Sequence, residues 1–365
     1  MGTFSVTGLT DFLWAGGEER IMAASKSYVY VGLAGETAPG REVKTGLYRM
    51  ADGDEEWELL SNGLPDKPAI RALAIHPEKP EIVYAGTQSG PYRSTDHGDH
   101  WEEVNVPDRG LPVWSLLFSP RDPNVMYAGY EACEIYRSDD GGESWGRMPI
   151  SVHFPEITMA TGANPAKRIL NMSASTANAD ELYGAIEVGG LIRTLDGGEH
   201  WENLSHGLYM NDDLVDMHGV LASSLNPGTV FSISRAGMFR STDHGDHWSH
   251  VGLEQLNAKG QTYCRGIREV PGDPKTIWVA AGANFQSELG VLFRSKDAGA
   301  NWERVDIGFQ VTSTMFGVAF DEHQRGRMYC ASNGGEVFGS MDRGETWTAH
   351  PLPEGATQVY SLACG

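Results

Sequence analysis

The chain has 365 residues, 40% of them aliphatic, aromatic or cysteine, with 45 glycines, 18 prolines and a formal net charge of −21 from 28 basic and 49 acidic residues. That apolar share can bury a sizeable core, and the glycine and proline content favours short strands joined by tight turns over helices. So acidic a surface repels phosphate backbones, which excludes nucleic acid and anionic membranes as expected partners.

The N-terminal stretch MGTFSVTGLTDFLWAGGEER lacks the basic start and apolar run of a signal peptide. No apolar run reaches the ~18 residues of a membrane helix. Cysteines 133, 264, 330 and 364 stand far apart with no CxxC pair, which argues against a metal cluster or a disulfide framework. The expectation is a soluble, cytoplasmic protein.

In chain order, the first strand-like run is ERIMAAS from Glu19, followed by a run around Tyr30, the long connection LAGETAPGREVKTG, LYR at 47 and MADGDEEW from Met50. A second unit reads IRALAIHP from Ile70, EIVYAGT, GPYRS, STDHGDHW from Ser94 and then HWEEV. A third repeats that order as VWSLLFSP, NVMYAGY, EIYRS, SDDGGESW from Ser138 and SWGRM. After the insertion PISVHFPEITMATGANPAKRIL come TLDGGEHW from Thr194 and STDHGDHW from Ser241. A second insertion, LEQLNAKGQTYCRG with GANFQSELG, precedes SKDAGANW from Ser295 and SMDRGETW from Ser340. YSLACG closes the chain.

Six segments thus share Ser/Thr-x-Asp-x-Gly-x-x-Trp, and the seventh keeps Asp52 and Trp57. Their tryptophans fall at 57, 101, 145, 201, 248, 302 and 347. Four short strands in about 45 residues is blade geometry, so the expectation is an all-β, seven-bladed β-propeller of four-stranded blades, one domain over 1–365. A free sheet edge is removed if one terminus completes a blade begun by the other. ERIMAAS and YSLACG both qualify as the missing inner strand. The motif explains itself as a hairpin turn: glycine for positive φ, Asp and Ser/Thr to bond the turn amides, Trp to pack between blades. Its aspartates are therefore expected to be structural.

These segments resemble Asp-box (BNR) repeats, as found in sialidases, oligoxyloglucan-releasing glucanases, sortilin-type receptors and photosystem II assembly propellers. The aromatic-Arg triplets before them (LYR at 47, PYR at 91, IYR at 135, LIR at 191, MFR at 238, LFR at 292) extend the likeness over roughly residues 20–350. It is similar to the stand-alone soluble proteins labelled "glycosyl hydrolase". A sialidase-like site would require an arginine triad and an Arg-Ile-Pro signature. Here only Arg20-Ile21-Met22 approaches it. The oligoxyloglucan-type enzymes resemble two propellers with a cleft between them, of which this chain supplies one.

Function is expected on the top face, away from the motif turns, where loops enter the inner strands. Arg71, Trp114, His218, Arg265, Phe316 and Tyr360 fall near the starts of inner strands, and Gln88, Glu131, Glu187, Arg235 and Asn333 at the tops of second strands. Arg71, Arg235 and Arg265, with Trp114, would bind an anionic substrate, while Glu131, Glu187, His218 and Tyr263 are candidate catalytic acids and bases. Glu131 and Glu187, from adjacent blades, are also the candidate carboxylate pair of a glycosidase. His153 and His218, with Asp212, Asp213 and Asp216, could hold a divalent metal, though no metal-motif spacing is present. Two readings stand. One is a hydrolase or lyase acting on a small polar, carboxylated or sugar-like substrate in the axial pocket. The other is a non-catalytic propeller binding a protein or peptide through exposed aromatics such as Trp114, Phe154, Phe285 and Phe309.

Overall fold

The computed structural model describes residues 26–35, 42–154, 166–205 and 212–365. Seven four-stranded antiparallel sheets form the blades of a ring. Their inner strands are Val359–Cys364, Ala72–His76, Val113–Phe118, Arg168–Ala174, Met217–Ala222, Tyr263–Val270 and Met315–Phe320, each touching the next around the axis. The one helix among the described residues is the single turn Asp212–Val215.

Ring closure falls to the C-terminal candidate. Val359–Cys364 pairs antiparallel with Tyr28–Ala34, Tyr30 opposite Ala363, and Tyr28 and Gly365 exchange backbone hydrogen bonds of 2.9 and 3.0 Å. The first blade is therefore made from both ends of the described chain. ERIMAAS lies outside the described residues.

The six complete motif turns repeat one set of Ser/Thr and Asp bonds, and four of them add a tryptophan bond. In the second blade the Ser94 hydroxyl donates to Asp96 Oδ1 at 2.7 Å and accepts from Gly98 N at 2.7 Å. Asp96 Oδ1 accepts from His100 N at 2.9 Å, and Trp101 Nε1 donates to the Gly98 carbonyl at 3.0 Å. Gly98 sits at φ 99°, in the left-handed region that favours glycine. Neighbouring blades are stitched to these turns. Tyr30, Tyr84 and Tyr183 donate to the carbonyls of His97, Gly141 and His244 in the next blade. Arg49, Arg193 and Arg294 pair with Asp99, Asp246 and Glu345 in the same way.

The turn aspartates therefore have structural work to do. Hydrogen bonds from residues 144, 200, 301 and 346 hold Asp140, Asp196, Asp297 and Asp342 at about 2, below the ordinary 3.8. A depressed folded pKa contributes stability above the unfolded value, and that stability is lost as pH falls toward the folded one. Asp342→Ala is accordingly expected to lower Tm at pH 7, with the gap to wild type closing between pH 4 and 2. A gap independent of pH in thermal melts would show that the carboxylate charge does not matter.

Candidate functional site

The inner strands share a feature that builds the axial site. In six of them the ladder to the second strand slips by one residue near the top, and the residue skipped is Trp114, Leu170, His218, Arg265, Phe316 or Tyr360. A β-bulge re-aims a side chain that regular alternation would direct elsewhere. All six of these residues line the central cavity, joined by Arg71 just before the remaining inner strand. Small residues follow the bulge, allowing neighbouring strands to approach. A Cβ on Gly266, for example, would stand 3.1 Å from the Phe316 carbonyl. Where the small residue is serine it bonds the next blade, as Ser115 does to the Ile169 carbonyl at 2.7 Å and Ser361 to the Ile70 carbonyl at 3.1 Å.

The cavity so formed has a volume of 120 Å3 and opens below into a second chamber of 240 Å3. Leu73, Leu116, Arg268, Val318 and Leu362 belong to both walls, which places Arg268 at the junction. The upper wall carries Arg71, His218, Arg265 and Arg268 and no carboxylate. A larger groove of 540 Å3 lies on the motif-turn side between the sixth and seventh blades. Its Arg294 and Arg327 are engaged with Glu303, Glu345 and Asp52, and it lies away from the bulged residues.

Around the mouth, cations and rings alternate. The Arg71 and Arg168 guanidiniums stand 4.7 and 4.4 Å from the Trp114 ring, and Arg265 stands 4.9 Å from Phe316 and 5.6 Å from Tyr360. Such contacts favour a desolvated cation. Arg265 makes no hydrogen bond or ion pair with a described residue through its guanidinium, although it is enclosed by protein and lies within the field of Glu187 and Asp216. Trp114 Nε1 and Arg235 Nη1 are likewise buried donors without a hydrogen-bond partner among the described residues.

The acids stand on the rim. Arg168 reaches Glu187 at 2.7 Å and Glu131 at 3.5 Å, so the two carboxylates proposed as a glycosidase pair share one arginine. Burial raises the Glu187 carboxyl above its ordinary range, with Arg168 opposing and the Asp216 charge reinforcing the shift. Asp216 is buried, 3.5 Å from His218 Nε2 and 3.3 Å from Arg235 Nε, and accepts from Val188 N. Burial works against its anion, yet the charge and hydrogen bond of His218, with Arg235 and Arg265, hold the carboxyl below its usual range. His218 Nδ1 lies 2.7 Å from the Cys264 carbonyl, which fixes the ring, and Tyr263 packs 4.8 Å from it. Burial pushes the Tyr263 hydroxyl well upward, so this phenol keeps its proton at neutral pH.

The two parts of the second insertion meet beside the mouth. Asn257 Nδ2 donates to the Ala283 carbonyl at 3.0 Å, Lys259 pairs with Asp213 at 3.1 Å, and Phe285 packs 5.7 Å from Phe316.

Several expectations change. His153 does not join His218: its carbonyl accepts from Asn203 on the outer edge of the fourth blade. Among the described residues no group of three or more His, Cys, Asp or Glu side chains could hold a metal. Of the aromatics expected to be exposed, Trp114 is buried at 5% and only Phe309, at 42%, is clearly open to solvent. Gln88 ties its own blade, accepting from Ala69 N, while Asn333 joins the seventh blade to the first by donating to the Val359 carbonyl. Sequence reasoning passed over Arg168 and Arg268. Arg168 begins its inner strand as the bulged residues nearly do, but Arg268 sits mid-strand, where only the bulge three residues earlier turns it to the axis.

No protein-family model matches the chain. Among curated relatives, a xyloglucanase from a Paenibacillus species is 24% identical over 299 residues, covering 71% of this chain and 29% of its own length. The photosystem II assembly lipoprotein Ycf48 of Synechococcus is 25% identical over 302 residues, covering 78% of each. The chain thus spans less than a third of that xyloglucanase. Among solved structures, the GH74 xyloglucanase from Xanthomonas campestris aligns with a TM-score of 0.64 at 16% identity, over 89% of this chain and 56% of that one. Ycf48 bound to D1 peptide aligns at 0.55 and 16%, over 82% and 83%. These structures share the seven-bladed propeller fold with this chain. No helix among the described residues is long and apolar enough to cross a membrane.

Proposed function

We propose that the axial mouth binds a small carboxylated ligand and acts on it as a hydrolase or lyase. The observation that carries this reading is the cavity wall: in a chain of net charge −21 it presents Arg71, Arg265 and Arg268 and no carboxylate. Trp114 Nε1 and Arg235 Nη1, buried without a hydrogen-bond partner among the described residues, are both donors, so the complement is an acceptor-rich anion.

Catalysis would fall to the rim. Two carboxyls whose surroundings push their protonation in opposite directions mark an acid and a base. Glu187, raised, would donate a proton to the leaving group. Asp216, lowered and coupled to His218, would accept one from water or from a carbon next to the substrate carboxylate. Rate should then fall as pH rises through the raised Glu187 value and again as it falls through the depressed Asp216 value. The likeness to xyloglucanases supports a glycosidase-type hydrolase as one form of this chemistry.

The test is a panel of aryl glycosides, glucuronides and small carboxylic esters. Turnover of carboxylated members is expected, falling roughly 100- to 10,000-fold in Glu187→Gln. No turnover in any member, with carboxylates still raising Tm, would favour a second reading: capture of a peptide through a carboxylate. The match to Ycf48 over equal shares of both chains is what supports that second reading.

A further inference from the structure

Resting on that reading of the axial mouth, we infer that its ligand is a small dianion, a dicarboxylate held by Arg265 at the mouth and Arg268 at the floor. Both arginines come from the inner strand Tyr263–Val270 and both line the same 120 Å3 chamber. The slip between Cys264 and Gly266 is what allows residues three apart to face one axis, since strict alternation would send them to opposite faces.

Neither guanidinium has a hydrogen-bonded or ion-paired partner among the described residues. Arg268 forms no hydrogen bond or ion pair with a described residue, and the opposite charge acting on it, Glu322, does so at longer range. Arg268 is solvent-exposed where the two chambers meet, so water rather than a protein carboxylate meets its charge. The acids nearest the lower chamber are otherwise engaged or displaced. Glu269 accepts from the Ser224 hydroxyl and backbone, and Glu322 stands in the wall of the lower chamber only. Two guanidiniums lining one chamber, neither with a hydrogen-bonded or ion-paired partner among the described residues, match two negative groups on one ligand.

Size sets the class. A 150 Å3 cavity holds one benzene, so this chamber accepts a ligand core of about four carbons, its ends reaching the mouth and the junction. The aromatic lining of Trp114, Phe316 and Tyr360 suits a short hydrocarbon spacer between the charges.

Calorimetric titration of the full chain with succinate and with butyrate at pH 7.5 tests the assignment, because the two differ in the second carboxylate. Succinate is expected to bind at least about 30-fold more tightly than butyrate, from the added charged pair. Arg268→Gln should bring succinate down to the butyrate affinity, and its ligand-free Tm should stay level, since no hydrogen bond or ion pair to a described residue is removed. Arg265→Gln should weaken both ligands. Equal binding of succinate and butyrate, or a succinate affinity unmoved by Arg268→Gln, would overturn the dianion assignment while the loss in Arg265→Gln upholds the anion site. Failure of both compounds to bind wild type would overturn both.

Discussion

Deletion of Val359–Gly365 is expected to abolish the folded ring. These residues form the innermost strand of the blade begun by Tyr28–Ala34, and they fill the position between the inner strands Met315–Phe320 and Ala72–His76. Val359, Ala363 and Cys364 are buried, in clusters with Val29, Val31 and Tyr329 on one side and Tyr30, Ile70 and Leu73 on the other. Burial of one large aliphatic side chain contributes about 1.5–3 kcal/mol, and deletion would uncover partners on both flanks as well as the strand itself. The Tyr28–Ala34 edge would be left with unpaired amides and carbonyls next to apolar side chains, a template for association. Against a typical total stability of about 5–15 kcal/mol, the sum of these losses is decisive. Size-exclusion chromatography and thermal melts of the truncated chain should show aggregates or no cooperative transition. A monomer melting within a few degrees of full length would mean that the ring does not depend on this closure.

Arg265→Gln is the second large effect, and it separates binding from folding. Truncating one partner of an enclosed charge pair costs about 2–5 kcal/mol. At about 1.4 kcal/mol per tenfold, a small carboxylate should bind at least ~30-fold more weakly. Stability should change little, because the Arg265 guanidinium has no hydrogen-bonded partner to abandon and glutamine keeps most of its packing against Phe316 and Tyr360. Asp216→Asn supplies the contrast. It disturbs Arg235, His218 and the contact to Val188 N together, and should lower Tm as well as activity. Isothermal titration paired with melting curves distinguishes the two. If Arg265→Gln binds carboxylates as wild type does, the axial anion site is wrong.

Much of the architecture was legible because it is local. The turn motif satisfies its own amides within eight residues, so it leaves the same letters in six blades, and two of them in the seventh, whatever surrounds it. The strand runs on either side keep fixed distances from it, which made blade number and strand order readable. Arg71, Trp114, His218, Arg265, Phe316 and Tyr360 could be picked out because they interrupt otherwise apolar inner strands at one alignment position. That they line one cavity follows from the bulges, and a one-residue slip leaves no composition signal. Arg268 shows the limit, since counted by strict alternation from Arg265 it belongs on the opposite face of its strand.

The amino-acid sequence by itself determined the seven blades, the structural duty of the turn aspartates and the end of the propeller at which charged residues gather. The tertiary structure alone decided which of two candidate strands closes the ring, because both satisfy the pattern and only the position of Tyr28–Ala34 chooses between them. It also decided the electrostatics of the site: Glu131 and Glu187 share Arg168, Asp216 gathers His218 and Arg235, and Arg265 and Arg268 have no hydrogen-bonded or ion-paired partner among the described residues. Charge pairing depends on angstrom distances set by how strands and blades pack, and no local rule of sequence carries that information.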